Sequence, residues 1–173
     1  ADPNPQVAGK GMEALRQARI GVDTGLMQAQ AEALNPGFIS RMRRGRPHVL
    51  VKLAVSLDGR TALAHGESRW ITGAAARPDV QALRARSSAS VTGIGSVLAD
   101  DPSLNVREFD IGRQPLRVVV DSTLRMPTTA KMLGLPGSTL IVTARQHAED
   151  ADRLLAAGAE VLYLPAVDGS VDL

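Results

Sequence analysis

The chain has no cysteine and very few aromatic residues: two Phe, one Trp and one Tyr among 173 residues. Without cysteine, the chain cannot form a disulfide framework, use a thiolate nucleophile, or hold zinc or an iron–sulfur cluster through Cys ligands. The shortage of aromatic rings argues against a stacking surface for single-stranded nucleic acid. A packed core must therefore be aliphatic.

Long hydrophobic runs are also missing. No apolar stretch approaches the roughly 18 residues that a membrane span needs, and the opening residues Ala1–Pro5 do not have the pattern of a signal peptide. The three His residues have no paired spacing typical of a metal site. We therefore expect a cytoplasmic protein with no membrane partner and no metal.

Charge is nearly balanced, at +2, but the cations are mostly Arg, with only three Lys. The densest basic cluster is Arg41–Arg46. Such a cluster fits either a nucleic-acid contact or a solvated helix end, where positive charge suits the helix dipole. The small net charge and the lack of aromatic residues argue against nucleic acid.

Apolar spacing and turn residues predict an alternation of strands and helices. Helices are predicted over 10–19, 26–34, 38–42, 73–77 (capped by Thr72), 78–86, 96–99 and 146–157 (with Leu154 and Leu155 buried), with Pro78 interrupting the helical pattern or restarting it. Strands are predicted over 20–22, 48–55, 89–92, 116–120, 138–143 and 159–164, and Ser170 is predicted to cap a new helix. This order predicts an α/β fold, with a mostly parallel sheet, helices on both faces and a boundary between two units near Pro47.

The first polar stretch that could carry chemistry is Lys52–Arg60. Lys52 lies within the predicted strand over 48–55, where its ammonium must be paired or face a pocket, because an isolated buried charge is very costly. The turn that follows lies where open α/β sheets bind ligands. The alternative is an edge strand that leaves Lys52 in solvent.

The second stretch, Gly66–Gly73, holds the only Trp in a loop before a predicted helix. Free amides at a helix start bind phosphate, Ser68 and Thr72 add hydroxyls, and the indole of Trp70 could cover a flat ring. The alternative is that Trp70 only fills the core.

The third stretch, Thr92–Arg107, combines a strand, a glycine turn and a helix start, which suggests a nucleotide phosphate. It lacks the third glycine of the dinucleotide fingerprint. Asp100 and Asp101 fit a carboxylate pair or, equally, the end of a helix before a proline. Arg84 and Arg107 fit phosphate clamps or solvated surface residues.

These stretches occur in a particular order: V-K-L-A-V-S-L-D-G-R-T-A, G-E-S-R-W-I-T-G, R-A-R-S, T-G-I-G-S-V-L-A-D-D-P-S-L-N-V-R and R-V-V-V-D-S. The order resembles the reductase domain of the bifunctional riboflavin-biosynthesis deaminase/reductase family. The resemblance implies a dihydrofolate-reductase-like fold. It also implies NADPH-dependent reduction of the ribose of 5-amino-6-(5-phosphoribosylamino)uracil to a ribityl chain, with hydride delivered to C1′ of a ring-opened form.

The resemblance also implies roles for particular residues. Substrate contacts fall on Ser68, Arg84, Leu104 and Arg107, with the two Arg residues at the phosphate end, and Lys52 is a candidate for orienting the substrate. The NADPH contacts fall on Ala54, Trp70, Ser96, Asp100 and Ser122. Pro78 departs from the expected helical pattern before Arg84.

Residues 1–46 resemble the tail of the family's deaminase domain, through D-P-N-P-Q-V-A-G-K-G and A-L-N-P-G-F-I-S-R-M. The zinc ligands of that domain are absent, so zinc is expected only in the deaminase part of the parent enzyme. Residues 47–173 are expected to be the reductase domain, incomplete at its C-terminal end. The alternative function is an inactive folded piece or an interaction module. By analogy with the family, we expect a homodimer.

Overall fold

A computed structural model of the chain describes residues 2–68 and 70–172. It divides into two compact units, Ala1–Ala54 and Val55–Leu173. Arg69 and Leu173, which fall within stretches discussed above, lie outside the described residues.

The first unit is helical among its described residues. It contains α1 (Lys10–Gln17), α2 (Gln28–Leu34) and α3 (Pro36–Arg44). α3 starts with a proline in its first position, where the missing N–H costs nothing, and ends at Gly45 in the left-handed conformation. The basic cluster is thus an exposed helix end, and the three predicted helices are confirmed. The strand predicted over 20–22 is wrong, because this stretch is irregular and pairs with no described strand.

The second unit is an α/β fold. In chain order it contains α4 (Ala76–Ala85), β1 (Ala89–Gly93), α5 (Ile94–Asp100), β2 (Leu116–Val120), a short 3-10 helix (Lys131–Gly134), β3 (Thr139–Thr143), α6 (Ala148–Ala156), β4 (Glu160–Tyr163), β5 (Ala166–Val167) and β6 (Ser170–Val171). The first four strands form one sheet in the order β1-β2-β3-β4, and each neighbouring pair is parallel. The predicted parallel α/β architecture is confirmed.

The core of this unit lies against the two central strands. Val119 of β2, Ile141 of β3 and Leu154 of α6 are fully buried. α5 and the segment after β2 add Ile94, Val97, Leu124, Met126, Ala130 and Met132, and Ala159, directly before β4, completes the cluster. No aromatic residue belongs to this cluster, as the composition predicted.

The amino-terminal edge of the parallel sheet is organised by a buried cation. Arg117 of β2 is 1% exposed, and its guanidinium donates to Thr139 Oγ1 at 3.0 Å and to the carbonyls of Leu135 and Pro136 at 3.2 and 3.1 Å. It also donates to the Gly137 carbonyl. Burial lowers the pKa of the Arg117 guanidinium. One side chain therefore fixes the loop that leads into β3.

The strand predicted over 48–55 is not formed. These residues are irregular, and Val49, Val51 and Leu53 are exposed. A strand exists only where its backbone groups pair with a neighbour, and no described residue pairs with this segment. Residues 48–55 thus have the apolar, β-branched composition of a central strand, but no described strand pairs with them in this structure.

The end of the described chain is a hairpin and not the helix that Ser170 was predicted to cap. β5 and β6 pair antiparallel, with Val167 opposite Ser170. Asp168 and Gly169 between them both have positive φ, which is the requirement of a two-residue type I′ turn. The Asp-Gly pair, which favours a hairpin turn, thus decided the local structure, and not Ser170 as a helix cap.

α4 corrects two details of the sequence reading. The helix begins at Ala76, after an N-cap position held by Ala75, so Thr72 is not its cap. It continues through Pro78 without interruption, because Pro78 lies in the first turn, where backbone N–H groups have no helical partner. In α6, Leu154 is buried as predicted, but Leu155 is 49% exposed.

Candidate ligand-binding site

Small polar residues follow the carboxyl ends of the parallel strands in the second unit. Ser96 comes three residues after the end of β1, on α5, and Asp121 and Ser122 come directly after β2. A Cβ added at Gly93 or Gly95 would meet no other atom within 4 Å, so the backbone at this turn borders open space. Ser96 is exposed beside it. Open α/β sheets bind ligands at this edge.

The turn after β2 is held from within by a carboxylate. Asp121 is fully buried, and its Oδ2 accepts a hydrogen bond from Met126 N at 2.8 Å. Its Oδ1 has no hydrogen-bond partner among the described residues. Ser122 is half-buried, and its Oγ accepts from Val171 N at 3.1 Å, which ties the β5–β6 hairpin to the carboxyl end of β2. Sequence reasoning singled out Ser122 and missed Asp121, although a polar residue directly after a buried strand was a usable signal.

Asp100 and Asp101 at the end of α5 have different partners. Asp100 Oδ1 accepts from Ser68 Oγ at 3.2 Å, which brings two sequence-predicted site residues together. Asp101 is exposed, has a φ of 41°, and accepts from Lys131 N at 2.9 Å. The two carboxylates therefore serve separate contacts, which gives no support to the carboxylate-pair alternative.

Trp70 does not fill the core. Its side chain is 72% exposed, and the guanidinium of Arg77 lies 4.6 Å from the centre of its ring. A cation at this distance over an indole is a favourable contact. The core alternative for Trp70 is thus wrong, and the indole is accessible to a ligand.

Arg84 and Arg107 form a pair of neighbouring cations. Arg84 is half-buried on α4, and its burial lowers the pKa of the guanidinium, with a further lowering from the positive charge of Arg107. Neither residue forms an ion pair with a described residue. Arg107 is exposed, and its Nη1 donates to Ser103 Oγ at 3.2 Å. Two guanidinium groups close together without a carboxylate form a site suited to an anion.

Two glutamine side chains, which sequence reasoning missed, fix the backbone of the segment 104–107. Gln114 Oε1 accepts from Val106 N at 2.8 Å, and Gln114 Nε2 donates to Val106 O at 3.0 Å. The buried Gln81 on α4 accepts from Arg107 N at 3.2 Å through its Oε1. Leu104 is half-buried against the core with a φ of 51°. A lone Gln within a helix or a loop gives no sequence signal of such a role.

The remaining predicted site residues, Lys52 and Ala54, belong to the first unit. Lys52 is exposed and Ala54 is half-buried in the irregular segment 48–55. The structure thus brings Ser68 and Asp100 into contact and Arg84 near Arg107. Ser96 and Ser122 follow the carboxyl ends of neighbouring strands.

Two negative findings concern residues 2–68 and 70–172 only. No group of three or more His, Cys, Asp or Glu side chains there could hold a metal ion. No helix there has the length and apolar character needed to cross a bilayer.

The fold and the site define the class: a parallel α/β protein with polar groups for a ligand at the carboxyl edge of its sheet. The sequence model of the family described as the RibD C-terminal domain matches residues 47–173. The chain therefore belongs to this family. The resemblance stated from the motifs and the fold class expected from it are confirmed.

Individual relatives agree with this assignment. The riboflavin biosynthesis protein RibD of Escherichia coli (strain K12) is 44% identical over 184 residues, which cover 99% of this chain and 49% of the relative. The solved structure of Acinetobacter baumannii RibD, form 1, has 47% identity and a TM-score of 0.83, covering 96% of this chain and 47% of that chain.

A third similar protein has a solved structure with a more explicit description. It is a diaminohydroxyphosphoribosylaminopyrimidine deaminase/5-amino-6-(5-phosphoribosylamino)uracil reductase from Thermotoga maritima. It has 32% identity and a TM-score of 0.81, covering 92% of this chain and 44% of that chain. The chain thus spans about half the length of the curated relatives and solved structures that it matches.

Proposed function

We propose that this chain carries the substrate-anchoring and cofactor-binding part of a reductase in riboflavin biosynthesis. The reaction is the NADPH-dependent reduction of the ribose of 5-amino-6-(5-phosphoribosylamino)uracil to a ribityl chain. The observation that carries the proposal is the Arg84–Arg107 pair, which has no carboxylate partner among the described residues and fits the phosphate of this substrate. The helix that carries Arg84 and the segment that carries Arg107 are joined by the hydrogen bond from Arg107 N to Gln81 Oε1. Membership of the RibD C-terminal domain family supports it.

The carboxyl edge of the sheet fits a nicotinamide cofactor. The open space at Gly93 and Gly95 leaves room for a ligand close to the backbone, and the exposed indole of Trp70 offers a flat surface. The residues that would hold NADPH are Ala54, Trp70, Ser96, Asp100 and Ser122. When bound, NADPH supplies the hydride that reduces C1′.

The protein's own contribution is positioning. Arg84 and Arg107 would anchor the phosphate, while Ser68 and Leu104 would line the rest of the substrate and Lys52 would orient it. Anchoring a remote phosphate holds the reacting carbon in place, which converts binding energy into a rate advantage. The contact between Ser68 and Asp100 links a predicted substrate residue to a predicted cofactor residue.

The test is a titration of the phosphorylated substrate against the protein at its natural length. Arg107→Ala should weaken substrate binding by roughly 1.5–3 kcal/mol, the range for hydrogen bonds to charged groups. This is about a 10- to 150-fold rise in the dissociation constant. Arg113→Ala, which removes an exposed Arg on the same unit, is the matched control. Unchanged substrate binding in Arg107→Ala would refute the anchoring role.

A second candidate is a folded module without turnover of its own. The observation that favours it is that the segment with Lys52 and Ala54 is irregular and exposed in this chain. A NADPH-oxidation assay with this 173-residue chain, with NADPH binding measured beside it, tests this candidate. Turnover that saturates with substrate excludes the module, and the absence of both NADPH binding and turnover supports it.

We propose further that residues 1–46 are the tail of a cytidine-deaminase-like domain and residues 47–173 part of the reductase domain. Zinc would then belong to the deaminase part of the longer enzyme. The homodimer and the cytoplasmic location expected from the sequence stay predictions, and light scattering of the purified protein tests the dimer.

A further inference from the structure

The hydrogen bond from Arg107 N to the side chain of Gln81 connects the segment that carries Arg107 to α4, the helix that carries Arg84. We infer that Gln81 is a positioning residue that sets the separation of the Arg84 and Arg107 guanidinium groups to suit one phosphomonoester. This inference rests on the proposed function, because it explains how the phosphate end of that site is built.

On one side, Gln81 is fixed by α4. It is 3% exposed, and its Oε1 accepts from Arg107 N at 3.2 Å. A buried amide oxygen without such a donor would be costly, so this contact is strongly favoured. Arg84 follows three residues later on the same helix, and residues at this spacing are neighbours on the helix surface. The position of Arg84 relative to the Arg107 backbone is therefore set through Gln81.

On the other side, the segment that carries Arg107 has little freedom. Gln114 binds both the N–H and the carbonyl of Val106, at 2.8 and 3.0 Å. Leu104 has a φ of 51°, a conformation that a leucine keeps only when its surroundings hold it. Gln81 then fixes the next residue along the chain, so the Arg107 backbone has one position relative to α4.

This fixed separation has an energetic consequence. Two guanidinium groups without a carboxylate partner repel each other: burial lowers the pKa of Arg84, and the positive charge of Arg107 lowers it further. Without the Gln81 contact, Gln114 would still hold Val106, but the Arg107 backbone would lose its direct hydrogen bond to α4. A pair whose separation is already fixed binds a phosphate more tightly, because no free energy is spent on bringing the two guanidinium groups together.

The experiment compares the phosphorylated substrate with its dephosphorylated analogue, using the protein at its natural length. The dissociation constant of the dephosphorylated analogue divided by that of the phosphorylated substrate measures how strongly the protein prefers the phosphate. Gln81→Met keeps the length of the side chain but loses the acceptor, and should lower this ratio about tenfold, which is the loss of about one hydrogen bond. The dissociation constants of NADPH and of the dephosphorylated analogue should stay the same.

A double-mutant cycle separates positioning from general destabilisation. In an Arg84→Ala background there is no pair to space, so Gln81→Met should lower the ratio much less than it does alone. Additive effects would overturn the inference. Thr143→Val is the matched control: at the carboxyl end of β3 it removes a buried hydroxyl that accepts from Arg145 N at 3.1 Å, and it should lower stability without changing the ratio.

Two further outcomes are informative. If wild-type protein does not discriminate for the phosphate, the proposed anchor itself fails; if it does and Gln81→Met discriminates equally well, only the present inference fails. Should Gln81→Met not fold, Gln81→Glu keeps an acceptor oxygen and places a negative charge beside the pair. Phosphate discrimination should then fall, and an unchanged ratio would contradict the placement of Gln81 beside both cations.

Discussion

Replacing Arg117 should destabilise the second unit more than any surface change, because its side chain is buried at the amino-terminal edge of the sheet. Its guanidinium donates to four oxygen atoms, three of them backbone carbonyls of residues 135–137. Hydrogen bonds to a charged group contribute roughly 1.5–3 kcal/mol each, which sets a ceiling of about 6–12 kcal/mol for the four. Burying the cation costs several kcal/mol and offsets part of this.

The net loss expected for Arg117→Met is therefore about 3–5 kcal/mol, because the change leaves buried oxygen atoms without a donor, at roughly 1–3 kcal/mol each, and removes the cost of burying the cation. At roughly 2–4 °C per kcal/mol, the melting temperature should fall by about 6–20 °C. Arg117→Lys keeps the charge but has no planar fork to reach all four oxygen atoms. It should lose less stability than Arg117→Met.

The assay is urea unfolding followed by circular dichroism, with the melting temperature measured in parallel. Arg113→Met, which changes an exposed Arg four residues earlier, should stay within about 0.5 kcal/mol of wild type. If Arg117→Met lost less than about 1 kcal/mol, the idea that this buried cation organises the amino-terminal edge of the sheet would be refuted.

Two other perturbations follow from the structure. Gly137→Ala should cost about 1–3 kcal/mol in urea unfolding, because Gly137 has a φ of 98° and a Cβ there would lie 2.8 Å from Gln114 Cβ; Gly134→Ala, with no atom within 4 Å of its added Cβ, is the control, and equal losses would contradict the clash. Hydrogen bonds from Arg43 to both carboxylate oxygens, at 2.6 and 3.0 Å, are the main cause that lowers the pKa of Glu32. The pair's contribution to the first unit is therefore complete above the ordinary pKa of Glu and lost as the pH falls through the lowered value. An NMR titration should show the pKa of Glu32 rising in Arg43→Gln, and no rise would exclude the ion pair in solution.

Much of the second unit could be read directly from the sequence. The apolar runs at 116–120 and 139–143 are strands because both faces of a central parallel strand are buried, and such strands need almost continuous β-branched residues. The helix ends at Gly45 and in the turn after α6 follow from glycine's access to positive φ. The ordered motifs identified the family and the candidate residues Ser68, Arg84, Leu104 and Arg107.

Local pattern failed where the outcome depended on a partner elsewhere in the chain. Residues 48–55 have the composition of a strand, yet composition cannot supply the neighbouring backbone that a strand requires. Residues 168–169 show the reverse case, since a local Asp-Gly signal decided the turn while the expectation of a further βα unit pointed to a helix. From sequence alone, Trp70 could either fill the core or cover a ligand ring, and only its exposure in the structure excludes the core.

By itself, the sequence determined the parallel α/β class, the aliphatic core and the family, because these depend on composition, periodicity and motif order along the chain. The tertiary structure alone decided that Gln81 and Gln114 hold the segment 104–107, that Asp100 and Asp101 serve different contacts, and that Arg117 is buried among carbonyls. Each of these facts joins residues distant in sequence. The physical reason is that a polar side chain becomes structural or functional through the partner it meets, and that partner is set by the fold.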